Sequence, residues 1–349
     1  MTSIIHDIRG AHIPLDRLGR PLHDLRISVM DRCNFRCPYC MPKEQFHENY
    51  QFLRSGERLS FDEIVRLTKL FAGLGVRKVR LTGGEPLLRA NLADLVGDLT
   101  GIPGIEDIAL TTNGVLLANH AVDLHANGLK RITVSLDTLD KVIFARLSGG
   151  FGALDQVLAG IDAAAAAGLT PIKINAVIER GVNDHTALDL VEHFRGTPVI
   201  VRFIEFMDVG NRNHWRPDMV VPSRELAAQI KARWPMHPVS QNYHGEVAQR
   251  WRFDDGGGEV GFISSISQPF CGACSRARLS SEGKFYTCLF ATQGIDLRAP
   301  MREGADDAEL LRVIRGAWLG RTDRYSELRE ELRRGTPETK KIEMYYIGG

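Results

Sequence analysis

The six cysteines of this chain fall into two groups of three, Cys33, Cys37, Cys40 and Cys271, Cys274, Cys288, with none left over. The first group has the spacing C-x3-C-x2-C within Asp31-Arg32-Cys33-Asn34-Phe35-Arg36-Cys37-Pro38-Tyr39-Cys40. Loops this short strain a disulfide, so three thiolates so close are better suited to converging on one metal centre. A four-iron cluster is normally closed by four cysteines. Here no His or Asp follows within the loop to act as the fourth, so one iron is left open to a substrate or cofactor. A structural zinc knuckle is the alternative, but zinc sites usually take four ligands as two C-x2-C-type pairs. The second group, Cys271-Gly272-Ala273-Cys274 followed by Cys288, is also one ligand short. It reads either as a second four-iron cluster with an open iron or as three-quarters of a zinc ribbon completed by water or a distant His.

Other residues could serve such centres. Gly83-Gly84-Glu85-Pro86 is a glycine turn, and glycine lets a backbone approach a ligand closely. Arg276 and Arg278, two apart on a strand, face the same way. Paired guanidiniums suit phosphate oxygens, although a solvated strand face would look the same. Arg26 and Arg80 precede the first two motif loops, and Lys173 lies two residues before Asn175. Barrel interiors normally take Val, Ile and Leu, so cations there call for a compensating anion. Five cations on one cavity would suit a triphosphate, provided the register is not off by one residue. The run Met344 to Ile347 points to a packed tail, which Gly348-Gly349 could extend into a crowded site.

The elements that must position these residues alternate. Strands are expected at Leu25–Met30, Val76–Leu81, Ile108–Leu110, Arg131–Leu136, Ile172–Ile178 and Val199–Phe206. Between them lie helices such as the one capped by Ser60 with Glu63 three residues on, a capping box. Six strand-then-helix units predict a parallel sheet covered by helices. Every unusual cluster sits at the C-terminal end of a strand, which favours a partial (βα)6 TIM-like barrel over a doubly wound sheet. The pattern changes after Pro222, so we expect an α/β fold with a barrel over residues 1–222. Residues 223–349 would form an α+β extension closing the open side and carrying the second triplet. Residues 1–23 read as an arm lying over the body.

The motifs resemble the radical SAM (S-adenosylmethionine) superfamily and, within it, the GTP 3′,8-cyclase family of molybdenum cofactor biosynthesis. The resemblance runs from about Leu22 to Gly349. It rests on Asp-Arg-Cys-Asn-Phe-Arg-Cys-Pro-Tyr-Cys-Met-Pro, Thr-Gly-Gly-Glu-Pro, Thr-Thr-Asn-Gly, Phe-Ile-Glu-Phe-Met-Asp, Cys-Gly-Ala-Cys-Ser-Arg-Ala-Arg and the terminal Gly-Gly. It implies two [4Fe-4S] clusters, one held by Cys33, Cys37 and Cys40 and one by Cys271, Cys274 and Cys288. It implies SAM contacts at Tyr39, Gly84, Ser135 and Met207. GTP contacts are implied at Arg26, Arg80, Thr111, Lys173 and the Arg276-Ala277-Arg278 strand, with Arg276, Arg278, Gly348 and Gly349 serving catalysis. The implied reaction cleaves SAM to methionine and a 5′-deoxyadenosyl radical. That radical takes the ribose C3′ hydrogen of GTP, and C3′ then attacks C8 to give 3′,8-cyclo-7,8-dihydro-GTP. The implied partners are a flavodoxin- or ferredoxin-like electron donor, cyclic pyranopterin monophosphate synthase as recipient of the product, and a second copy in a homodimer.

Composition sets outer limits. The chain has 349 residues, 44% hydrophobic and 25% charged, with a net charge of +1, so nothing in bulk marks a nucleic-acid binder. The first twenty residues carry no apolar core of signal-peptide type and no stretch is long enough to span a membrane, so a cytoplasmic enzyme is expected. Two other classes fit part of the pattern. A radical SAM peptide-modifying enzyme with auxiliary clusters would usually carry more C-terminal cysteines. An iron–sulfur or zinc redox sensor would not turn over SAM.

Overall fold

The computed structural model describes residues 4–6, 12–335 and 341–348. A short hairpin pairs β1 (Ile4–His6) with β2 (His12–Pro14). Six parallel strands then alternate with helices: β3 (Asp24–Ser28), β4 (Lys78–Thr82), β5 (Asp107–Thr112), β6 (Arg131–Ser135), β7 (Ile172–Ile178) and β8 (Ile200–Glu205). The intervening helices are α1 (Phe61–Gly73), α2 (Leu92–Thr100), α3 (Ala121–Ala126), α4 (Lys141–Leu147), α5 (Leu154–Ala166) and α6 (Ala187–Phe194). The expected barrel is present, and its sheet does not close on itself.

The remaining elements are α7 (Ser223–Arg233), β9 (Met236–Val239), β10 (Gln249–Phe253), β11 (Glu259–Ile263), β12 (Arg276–Leu279), β13 (Lys284–Tyr286), β14 (Ile295–Asp296), α8 (Arg298–Arg302), α9 (Asp307–Leu319), α10 (Tyr325–Gly335) and α11 (Met344–Ile347). These strands join the barrel's own sheet. Parallel to β8 runs β11, with β10 and β9 beyond it; parallel to β3 runs β12, with β13 and β14 beyond it. Both open edges of the six-stranded sheet are therefore paired, which removes two exposed rows of backbone donors and acceptors.

Local sequence explains the helices. In α1, Ser60 Oγ accepts from the Glu63 amide at 3.1 Å and Glu63 Oε2 accepts from the Ser60 amide at 2.7 Å, the expected reciprocal cap. Its buried face, Ile64, Leu67, Leu70 and Phe71, recurs at helical spacing. The unexpected α4 is started by Asp140, whose carboxylate accepts from the amides of Val142 and Ile143. Residues 12–23 do more than lie over the body: Leu22 is fully buried and Arg20 nearly so.

In β7 the burial alternates strictly. Ile172, Ile174, Ala176 and Ile178 pack under helices, while Lys173, Asn175 and Val177 face the barrel interior. The same alternation in β8 turns Arg202 and Ile204 inward and Val201 and Phe203 outward. The apolar core thus lies between sheet and helices, and the interior is left for a ligand.

Candidate active site

Two cavities meet inside the barrel. The smaller, about 190 Å³, is lined by Cys33, Cys37, Cys40, Gly84, Ser135 and their neighbours. The larger, about 220 Å³, is lined by Arg26, Arg80, Lys173, Arg276, Arg278 and the second cysteine triplet. Tyr39, Thr111, Asn175, Val177, Ile204 and Met344 line both, so one space opens directly into the other.

The first cysteine loop follows β3. It is folded by Arg36, whose guanidinium donates to the Cys33 and Phe46 carbonyls at 2.7 and 2.8 Å, and by a turn in which the Cys40 and Met41 amides both donate to the Cys37 carbonyl. The Gly-Gly turn is pressed onto this loop. The Gly84 amide donates to the Met30 carbonyl and the Glu85 amide to the Arg32 carbonyl, both at 2.7 Å. A Cβ on Gly84 would lie 2.2 Å from the Arg32 carbonyl oxygen, and one on Gly83 would lie 2.4 Å from that of Met30. The glycines are thus required by the approach of the turn to the cysteine loop, whatever ligand lies above. Below them Glu85 is buried and accepts from Thr112 Oγ1 and the Asn113 and Leu87 amides, tying the ends of β4 and β5 together. Burial nonetheless pushes its carboxyl up to about 7.

The residues of this loop suit a cluster. Burial, reinforced by Glu85, pushes the Cys33 thiol up to about 12, and burial with the neighbouring thiols raises Cys37 and Cys40. Thiolates here need a positive centre beside them, which irons would provide. The Phe35 amide donates to Cys33 Sγ at 3.4 Å and the Tyr345 amide to Cys40 Sγ. Among the described residues no three His, Cys, Asp or Glu side chains gather as a single-ion site. Tyr39 donates its hydroxyl to Asp137 Oδ2 at 2.7 Å, which fixes its ring at the junction of the cavities.

The five cations singled out by sequence share one interior. Arg26 stands in register with Arg80 on one side and Arg278 on the other, and Lys173 with Thr133. Arg80 Nη1 donates to Thr111 Oγ1 at 2.9 Å and to Thr133 Oγ1 at 3.1 Å. Lys78, Arg131, Arg202 and Arg321, not singled out by sequence, line the same cavity. Arg202 could have been found by the argument that flagged Lys173, because it sits mid-strand where a barrel expects an aliphatic residue. The carboxylates on this wall are Asp24, Glu205, Glu246 and Asp323. Glu205 is already engaged by the Ser223, Ile266 and Ser267 amides, each at 2.8 Å.

The electrostatic result is a cationic hollow. Burial, then repulsion from Arg202, Arg131 and Arg80, brings Lys173 down to about 7. Burial and neighbouring guanidiniums likewise hold Arg26, Arg80, Arg202 and Arg278 below the ordinary arginine range. Asn175 Oδ1, Arg202 Nε and Arg276 Nε are buried without a partner, as groups awaiting a ligand would be. At the second triplet, burial acts against ionisation of Cys274, but Arg276 and Arg321 outweigh it and bring the thiol down to about 6. Arg276 Nη2 lies 3.2 Å from Cys274 Sγ, and the Phe290 amide donates to Cys288 Sγ at 3.4 Å.

Not every expected residue lies where the resemblance implied. Met207 lines the larger cavity, not the one containing Gly84 and Ser135, because the chain has passed the end of β8 before reaching it. Ala277 is fully buried in β12 and turned away from the cavity by strand alternation. Gly348 packs against Thr82, and its carbonyl accepts from Arg278; Gly349 lies outside the described residues.

Residues 27–194 match the Radical SAM superfamily and residues 199–327 match Molybdenum Cofactor Synthesis C. The chain is 55% identical over 334 residues to the GTP 3′,8-cyclase of Xanthomonas campestris pv. campestris (strain B100), covering 96% of this chain and 97% of that protein. It belongs to the GTP 3′,8-cyclase family. A second family member, from Acidothermus cellulolyticus, is 52% identical over 96% of this chain and 98% of its own. The fold also matches Streptococcus suis SuiB bound to S-adenosylmethionine, with a TM-score of 0.57 and 16% identity over 85% of this chain and 68% of that one. GTP 3′,8-cyclases use SAM and iron–sulfur clusters, and the two cysteine-lined cavities fit that requirement.

Proposed function

We infer that this chain is a radical SAM GTP 3′,8-cyclase of molybdenum cofactor biosynthesis, converting GTP to (8S)-3′,8-cyclo-7,8-dihydroguanosine 5′-triphosphate. The observation that carries the reading is the juncture of a thiol-lined cavity with a cation-lined one through six shared residues. When bound, the reduced first cluster and SAM supply a 5′-deoxyadenosyl radical that removes the ribose C3′ hydrogen.

The protein's part is to bind, align and keep dry. Cys33, Cys37 and Cys40 would hold the first cluster, and Tyr39, Gly84 and Ser135 would hold SAM, with Met207 reaching it from the adjoining cavity. Arg26, Arg80, Thr111, Lys173, Arg276 and Arg278 hold GTP, with the unpartnered Arg202 Nε and Asn175 Oδ1 turned toward it. Such a wall of guanidiniums is matched to a polyanion, not to an extended peptide chain. Cys271, Cys274 and Cys288, which line the larger cavity, would hold the second cluster. Arg278 donates to the Ile347 and Gly348 carbonyls, so one guanidinium serves both substrate and tail. Through that contact the tail closes the site over GTP and excludes water.

We assign residues 1–222 to SAM cleavage and one wall of the GTP site, and residues 223–349 to the second cluster and the opposite wall of that site. We also place the enzyme in the cytoplasm, as a homodimer, receiving electrons from a flavodoxin- or ferredoxin-like donor and passing its product to cyclic pyranopterin monophosphate synthase. Among the described residues no helix is long and apolar enough to cross a membrane. The test is anaerobic reconstitution with GTP, SAM and dithionite, followed by product analysis. The reading expects 5′-deoxyadenosine and the cyclised nucleotide together. Iron near four per chain, or 5′-deoxyadenosine with unchanged GTP, would sink it.

A further inference from the structure

The segment ahead of the barrel runs beneath the second cysteine triplet. Asp16 and Arg20 lie on one turn, and Arg321 follows α9; all three are buried. Asp16 Oδ2 accepts from Arg20 Nε at 2.6 Å and pairs with Arg321 Nη1 at 3.3 Å, so one carboxylate serves two guanidiniums. Its other oxygen accepts from the Leu18 and Arg20 amides, both at 2.9 Å, which fixes the turn. The backbone joins the same pieces: the Arg17 amide donates to the Arg321 carbonyl at 3.2 Å, and Trp318 Nε1 donates to the Arg20 carbonyl at 3.1 Å.

What the guanidiniums do with their free ends is specific. Arg20 Nη1 donates to the Cys271 carbonyl at 2.8 Å. Arg321 Nη1 donates to the Cys274 carbonyl at 2.7 Å, and its Nη2 lies 3.4 Å from Cys274 Sγ. Two of the three thiols are therefore gripped through their own backbone, and one sulfur receives a charged N–H directly. Arg321 Nε also pairs with Asp323 Oδ2 at 3.5 Å, so two guanidiniums are balanced by two carboxylates and what they give the site is directed N–H groups, not a net charge. A salt bridge serving only to staple the amino-terminal segment to α9 would need neither cysteine carbonyl.

We propose that Asp16, Arg20 and Arg321 are positioning residues for the second iron–sulfur cluster, fixing the Cys271–Cys274 turn and raising the cluster's reduction potential through N–H···S bonding. The inference rests on the assignment of Cys271, Cys274 and Cys288 to that cluster. Charge and hydrogen bonds to sulfur are among the protein's means of setting cluster potentials, and outer partners of ligands hold metal sites together. Arg321 also lines the larger cavity, so a change there would be felt by a group bound in that cavity as well as by the sulfur.

The experiment compares the full-length wild type with Arg321→Lys, Arg20→Lys and Asp16→Asn after anaerobic reconstitution. It measures iron per chain and the potential and EPR signal of each cluster, with the SAM-perturbed signal marking the first. Wild type with about four irons would overturn the assignment of the second triplet itself, separately from this inference. With wild type at about eight, Arg321→Lys is expected to keep its SAM-responsive signal. It should either show a second cluster at lower potential or lose about four irons. Arg20→Lys, which keeps the charge but not the grip on the Cys271 carbonyl, should move the second signal less than Arg321→Lys. A second cluster unchanged in content, spectrum and potential in Arg321→Lys would overturn the proposal, even if the melting temperature falls. If Asp16→Asn does not fold, the two lysine variants decide the question alone.

Discussion

Lys173 should make GTP binding depend on pH in a way that no other group in the cavity does. In the empty protein it is brought down to about 7, first by burial and then by Arg202, Arg131 and Arg80, with Glu246 opposing them. A triphosphate placed among these groups favours the charged ammonium and returns it toward its ordinary value of 10.5. Binding above pH 7 must therefore take up a proton. The sign follows: affinity is full where Lys173 is already charged and falls as pH rises through about 7. It stops falling only when the pH reaches the value in the complex. Linkage sets the slope at roughly tenfold in Kd per pH unit across that window. The terminal phosphate of GTP, titrating near about 6, is fully ionised above pH 7.5 and adds no slope there. Arg80, Arg202 and Arg278, brought down only to between about 9 and about 10, hold their protons more tightly than Lys173 and stay charged where the slope begins.

Titration calorimetry between about pH 7.5 and pH 9, in buffers of different ionisation heat, reads both the slope in Kd and the proton taken up. Two variants isolate the group. Lys173→Arg carries a permanent charge and should bind tightly with a flat profile. Lys173→Met should bind weakly with an equally flat profile. A wild-type Kd that does not change over this range would refute the reasoning, as would a slope that survives in Lys173→Met.

Three other outcomes follow from the geometry. Gly84→Ala places a Cβ 2.2 Å from the Arg32 carbonyl, so reconstituted protein should lose the SAM-responsive EPR signal while the second cluster stays; an unchanged signal would show that the turn can shift. Deleting Gly348 and Gly349 removes one of the two carbonyls that Arg278 grips, and the enzyme should still form 5′-deoxyadenosine while failing to cyclise GTP. Asp208 accepts from Arg329 Nε and Lys341 Nζ, both at 2.8 Å, and from the Tyr325 hydroxyl, so Asp208→Asn should cost about 3 kcal/mol and speed hydrogen exchange over residues 341–347. Unchanged exchange would mean that the tail is held elsewhere.

The barrel was legible because its signals are local. Period-two strands, the Ser60–Glu63 cap and turn glycines all act within a few residues, and Ile172–Ile178 was placed to the residue. The cations were legible for a different reason: a charge inside a barrel breaks the aliphatic rule, and its cost has to be offset by something. What sequence could not give was long-range pairing. Nothing in residues 249–279 says that β11 joins β8 while β12 crosses to join β3. Asp16 and Arg321 are 305 positions apart, and each alone looks like an ordinary surface charge. Asp140 opening a helix was readable from its type, but it stands only four residues past the strand expected at Arg131–Leu136.

Putting β12 beside β3 also explains why one chain can serve two distant cysteine groups. Arg278 lies opposite Arg26 in this pairing, and Arg26 lies opposite Arg80, so three consecutive strands set three guanidiniums at one level of the interior. Sliding β12 by one residue would turn both Arg276 and Arg278 into the outer layer and move the second triplet off the cavity mouth. The register of β12 is fixed at its entry. Asp24, the first residue of β3, accepts from Ser275 Oγ at 2.9 Å, and the His23 and Asp24 amides both donate to the Ser275 carbonyl. Ser275 is the residue between Cys274 and Arg276. The link that sets Arg276 and Arg278 in register therefore also sets the distance from them to the second triplet, so weakening it with Asp24→Asn should impair GTP affinity and the second cluster together rather than either alone.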